Sequence, residues 1–165
     1  MTLCLTAEQL QVIQCHAERT YPEECCGLLL GTIQTDCKLV EEVNPTANAW
    51  DQKIDLLDGS DLDGSDLDKS EPVLTRASRY WIAPQDMLAG MRKARDRNLE
   101  VIGIYHSHPD HAAVPSECDR RLAWSQYVYL IVSVEAGRAT SAHSWVLDQE
   151  QQFQPEELAI EGIKS

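Results

Sequence analysis

Residues Leu99–Asp119 read LEVIGIYHSHPDHAAVPSECD, and the rest of the chain can be read outward from them. Leu99 to Tyr105 is almost continuously apolar, the pattern of a central strand covered on both faces. His106 and His108 follow at i and i+2 as that strand runs out, so both imidazoles project to one side. A polar loop comes next, and Ser116 opens a helix predicted through about Gln126. Asp119, three residues after Ser116, lies near the start of that helix, where its carboxylate can return to the histidines. Two histidines and one carboxylate with a fourth position open is the composition of a catalytic rather than a structural zinc site.

The same residues have plainer readings. Paired histidines also occur in exposed loops, and S-x-x-D is also a capped helix start with a favourable first-turn carboxylate. His111 and Cys118 share the loop, so composition leaves a His2Cys site open. His143, inside a predicted strand, reads as a sheet residue rather than a ligand.

Upstream, Thr6-Ala7-Glu8-Gln9 has the form of a capping box, with Leu5 and Leu10 placed for a hydrophobic staple. Leu10, Ile13 and Ala17 continue an apolar face, which predicts a helix from about Ala7 to Arg19. Strands are predicted at Cys26–Leu30, at Lys38–Val43 ended by Asn44-Pro45, and at Arg79–Ile82. Pro84 suits the first position of a helix to about Asn98. Downstream, Tyr127–Val134 and Thr140–Leu147 read as strands joined by a turn at Ala136-Gly137, and the tail from Gln151 as a last edge strand. Helices interspersed with about six strands predict a single α/β domain over residues 1–165, with a mixed central sheet flanked by helices.

Charge narrows the partners. The 165 residues carry 27 acidic and 14 basic side chains, net −13, which disfavours nucleic acid and anionic membranes. Residues 51–72 alone hold eight acidic side chains and two lysines, net −6, in a five-residue repeat at Leu57, Leu62 and Leu67. That composition reads as a solvated acidic loop inserted in the domain, suited to solubility or to steering a basic substrate tail. The calcium-loop spacing D-x-D-x-D-G with a distal Glu is not met. No stretch is long and apolar enough to span a bilayer, and the N-terminus lacks a signal-peptide pattern. The six cysteines therefore read as reduced thiols of a cytoplasmic protein, although adjacent Cys25 and Cys26 leave a redox pair conceivable.

The run H-x-H-x7-S-x2-D, met by His106, His108, Ser116 and Asp119, resembles the signature of the JAMM (MPN-plus) zinc metalloprotease family. That family also carries a glutamate just before a glycine-rich strand. Pro22-Glu23-Glu24-Cys25-Cys26-Gly27-Leu28-Leu29 resembles its P-x-E-x-C-G-L-L element, with Glu24 in the glutamate position and Glu23 as competitor. The H-E-x-x-H and H-x-E…P-C-x-x-C zinc signatures are absent. The resemblance implies the JAMM/MPN fold, of cytidine-deaminase-like type. It also implies one zinc held by His106, His108 and Asp119 with water as fourth ligand. Glu24 is implied as base and then acid, and Ser116 as a hydrogen-bond donor to the oxyanion. It further implies hydrolysis after the C-terminal glycine of a ubiquitin-like protein. The bare catalytic chain is similar to the short bacterial branch acting on sulfur carriers. The alternatives are a non-catalytic MPN scaffold, which lacks the ligand set, and a deubiquitinase-like enzyme of a eukaryotic complex.

Overall fold

The computed structural model describes residues 1–51 and 75–162; the acidic repeat lies outside the described residues. In chain order the elements are β1 (Thr2–Thr6), α1 (Ala7–Thr20), β2 (Cys26–Ile33), β3 (Cys37–Thr46), α2 (Pro84–Asp96) and β4 (Glu100–Pro109). They continue with α3 (Glu117–Leu122), β5 (Val128–Glu135), β6 (Arg138–Leu147) and β7 (Phe153–Glu161). The strands form one mixed sheet in the order β1-β3-β2-β4-β5-β6-β7, which closes on itself through parallel pairing of β7 with β1. The α/β architecture with a mixed sheet agrees with the sequence reading.

Local chemistry explains most of the boundaries. The Thr6 hydroxyl accepts from the Gln9 N–H at 3.1 Å, and the Gln9 side-chain Oε1 accepts from the Thr6 N–H at 2.8 Å, so the capping box forms. Leu5 joins the core under α1, and Leu10 packs against that core. The β5–β6 hairpin turns on Ala136 and Gly137, at φ 50° and 85°, the left-handed pair a type I′ turn requires.

Several boundaries differ from expectation. β3 runs past Asn44-Pro45, because β1 pairs only with residues 37–39 and Pro45, opposite Gly27, has an open side where its missing N–H costs nothing. Residues 79–82 are extended but not a strand, since they bond to the Asn48 side chain and to Ala49 rather than to a neighbouring strand. Helix α3 stops at Leu122, where Ala123 turns extended and the Trp124 N–H donates to the Tyr129 hydroxyl at 2.6 Å. The tail is no edge: β7 pairs with β6 on one side and with β1 on the other.

Two hydrophobic clusters cover the two faces of the sheet. One joins Leu3, Leu5, Ile13, Ala17, Leu29, Ile102 and Tyr105 beneath α1. The other joins Cys26, Leu28, Leu30, Ile82, Ala94 and Ile104 beneath α2. Leu29 pairs with Gly103 and Leu30 with Val101, so Ile102 is a bulged extra residue in β4. The bulge resets the alternation, leaving Ile102 and Tyr105 on the α1 face and Ile104 on the other. His106 and His108, two and four residues after Ile104, follow it to the α2 face.

Close approach of strands makes Gly31 a sensitive position. A Cβ there would lie 1.9 Å from the Leu39 carbonyl oxygen, a backbone atom with no freedom to move aside. Gly31→Ala is expected to cost about 3 kcal/mol, roughly a 10 °C fall in Tm for a chain of this size. A thermal melt within about 2 °C of the parent would show that β2 and β3 can part without penalty.

Candidate metal centre

The end of β4 sets the first two candidate ligands. His106 and His108 are buried, with their Nε2 atoms 3.1 Å apart. Ser107 between them points the other way, where its hydroxyl accepts the Cys25 N–H at 2.8 Å while its own N–H donates to the Cys25 carbonyl. That exchange pins β4 to the segment carrying Glu24. The His108 Nδ1 lies 2.8 Å from the Ala112 carbonyl, which can only accept, so Nδ1 carries the proton and Nε2 is left with a free lone pair. His106 stacks on Tyr80, ring centroids 4.3 Å apart. Burial holds its imidazole below the usual 6.5, a preference for the neutral, metal-binding form.

Helix α3 brings in the carboxylate. Asp119 Oδ2 lies 3.3 Å from His106 Nε2 and 3.1 Å from His108 Nε2. The same oxygen accepts the Ser116 N–H at 2.8 Å, while the Ser116 hydroxyl accepts the Asp119 N–H at 3.0 Å. Helix capping and aim at the imidazoles are thus one arrangement. Burial opposes ionisation of Asp119, but the imidazoles and the Ser116 N–H outweigh it and hold the carboxyl well below its ordinary range.

Glu24 completes the cluster. It is 3% exposed, and its carboxylate and the two imidazoles each offer a ligand atom within 4.8 Å of one another, a group that fits a metal ion. Its Oε1 is buried without a hydrogen-bond partner among the described residues, an orphan a metal or its water would satisfy. Tetrahedral ligands 2.0–2.1 Å from a zinc stand about 3.3 Å apart, close to the separations of His106, His108 and Asp119. Burial, then the Asp119 charge, push the Glu24 carboxyl well above its usual 4.5, against a smaller pull from Arg79. Glu23, by contrast, is half-exposed and pairs with Arg76 at 2.7 Å.

The backbone around Glu24 is fixed by a residue that the sequence did not flag. The Asn48 amide donates to the carbonyls of Glu24 and Arg79, both at 2.9 Å, and its oxygen accepts from the N–H groups of Trp50 and Trp81. The Glu24 N–H donates to the Arg76 carbonyl at 2.7 Å. Segment 76–81 is thereby strapped across the site, with Tyr80 against His106. The result is a cleft of about 360 Å³ in which Glu24, Arg79, His108 and Ser116 face one another.

The remaining expectations resolve simply. His111 lines the cleft but is exposed, and Cys118 on α3 is half-buried; neither joins the metal-competent group among the described residues. His143 is exposed on β6, opposite Ile131. Cys25 and Cys26 are free thiols on opposite faces of the sheet, and burial raises them to about 11 and about 12, away from the thiolate that redox exchange needs. No helix among the described residues is long and apolar enough to cross a membrane.

A mixed sheet with two imidazoles at a strand end, a helix-borne aspartate and a buried glutamate beside them defines a metallopeptidase of the JAMM type. The chain belongs to this family: the model describing prokaryotic homologs of the JAB domain matches residues 6–148. It is similar to the desampylase of Haloferax volcanii, 30% identical over 164 residues and 96% of either chain. Among solved structures it resembles a protein of Desulfitobacterium hafniense, with a TM-score of 0.73 at 25% identity over 98% of this chain and 93% of that one. A protein of Salinibacter ruber matches with a TM-score of 0.65 at 28% identity, over 100% and 94%.

Proposed function

We propose that this metallopeptidase works with one zinc ion held by His106, His108 and Asp119, and hydrolyses the bond after the C-terminal glycine of a ubiquitin-like sulfur carrier protein. The observation that carries the ligand set is the convergence of two Nε2 atoms and Asp119 Oδ2 at 3.1–3.3 Å. The substrate class is supported by the similarity to a protein named desampylase. Net charge of −13 supports a protein rather than nucleic acid or an anionic membrane as partner. The free thiols of Cys4, Cys15, Cys25, Cys26 and Cys37 support a cytoplasmic setting.

A zinc ion in this site supplies a Lewis acid and lowers the pKa of a bound water towards about 7. The rest falls to the chain. Glu24, buried and with its Oε1 free of partners among the described residues, takes the proton of the attacking water and passes it to the departing amine. Its raised affinity for a proton suits the second half of that task. Ser116 accepts the Asp119 N–H through its oxygen, which leaves its own O–H to donate to the oxyanion. A scaffold role gains no support from the buried Glu24, His106 and His108 group that fits a metal ion.

The test is direct. Incubation of the zinc-loaded protein with carriers extended beyond their terminal Gly-Gly is expected to shorten them to that glycine, read as intact mass. Unchanged carrier masses across the candidate set would sink the substrate assignment.

A further inference from the structure

Arg79 has charge and hydrogen-bonding capacity that the mechanism leaves unused. Its carbonyl is held by Asn48 and its N–H donates to the Thr75 carbonyl, so its backbone is fixed beside Glu24. Its Nη1 donates to the neighbouring Ser78 carbonyl at 2.7 Å. Its Nε is buried and, among the described residues, has no acceptor. Among the described residues, histidines apart, Arg79 is the only cation lining the cleft and Glu24 the only acid. A buried guanidinium N–H without an acceptor destabilises the free protein and is tolerable where a ligand brings the acceptor. The planar fork of a guanidinium fits a carboxylate in two-point contact, and a single fork suits one carboxylate better than a phosphate dianion.

We propose that Arg79 is the anchor of a carboxylate subsite in this cleft, beside the position where the scissile bond is cut. The inference rests on the peptidase reading. Such a reaction brings two carboxylates within reach. One is the α-carboxylate of the residue that leaves from the carrier's glycine. The other is the new carboxylate of that glycine. The first makes the enzyme select a free C-terminal residue over an isopeptide; the second makes it hold its product.

Two peptide pairs separate these sources. Peptides ending in Gly-Gly, as acid and as amide, probe the glycine carboxylate on Glu24→Gln protein, where the terminal amide is not hydrolysed to the acid. Peptides ending in Gly-Gly-Ala, as acid and as amide, probe the leaving residue on Glu24→Gln protein, where they survive. Affinities are read by calorimetry, each protein checked for folding by its melt. The acid is expected to bind at least about tenfold tighter than the amide in one pair. Arg79→Gln should bring the two within about threefold, and Arg79→Lys, which keeps the charge and loses the fork, should fall between. Acid and amide binding alike in both pairs, no binding of any peptide, or a preference surviving Arg79→Gln each overturn the subsite. The peptidase reading fails separately, if the zinc-loaded wild type leaves the Gly-Gly-Ala peptides and extended carriers uncut whatever their affinities.

Discussion

Glu24→Gln is expected to keep the metal while cutting turnover by about 10²- to 10⁴-fold. The amide keeps the shape of the carboxyl group but can neither take the water's proton nor deliver it. Metal content decides between two roles for this residue, because Glu24, His106 and His108 also form a group that fits a metal by themselves. Retention of one zinc per chain by the variant identifies Glu24 as the proton carrier, and loss of zinc identifies it as a ligand. The metal-free protein adds a second readout. Burial raises the Glu24 carboxyl, so the folded state keeps a proton that the unfolded chain releases above 4.5. That contribution to stability is complete below pH 4.5 and lost as pH climbs through the raised value. Glutamine does not titrate. Metal-free Glu24→Gln should therefore melt with the parent at about pH 4 and a few degrees above it at about pH 8. A gap independent of pH would remove the buried carboxyl as its cause.

Stripping the metal is expected to abolish turnover and lower the melting temperature by roughly 10 °C. A metal present at a thousandfold its Kd stabilises the folded state by about 4 kcal/mol, each worth about 2–4 °C in a chain of this length. In the proposed ligand set, His106, His108 and Asp119, at 3.1–3.3 Å from one another, would give the ion its grip. Asp119 also caps α3, so truncating it would confuse two losses. Asp119→Asn avoids this, since its side-chain oxygen can still accept the Ser116 N–H while the charge is gone. Weaker zinc binding with α3 intact, seen by metal titration and circular dichroism, supports Asp119 as ligand. Parental affinity in that variant would exclude it.

How far the sequence could be read depended on the range of the interactions involved. Thr6 and Gln9 announced α1 because a capping box is closed within four residues. His106, His108, Ser116 and Asp119 stood out through their resemblance to a family signature, and one strand end and one helix start bring them together. Residues 79–82 misled for the opposite reason. Their extended form comes from Asn48, about thirty residues away, whose four hydrogen bonds leave no trace in a sequence. Arg79 stayed hidden inside that misreading. The bulge at Ile102 was equally invisible, since a run as apolar as VIGIY shows no alternation from which a face could be assigned. β1 had the alternation, with Leu3 and Leu5 buried, but five residues running straight into a helix cap were too short to stand out.

The pairing that closes the sheet also fixes an order of events during synthesis. Thr2 and Glu157 meet across 155 positions of sequence, so β1 cannot finish its pairing until the last strand has left the ribosome. Glu24, His106, His108 and Asp119 all emerge earlier, on elements that contact one another locally or through β2 and β4. A nascent chain can therefore assemble its metal pocket while the ring is still open. Sealing of the ring then falls to the final strand, the step with the largest loop to close.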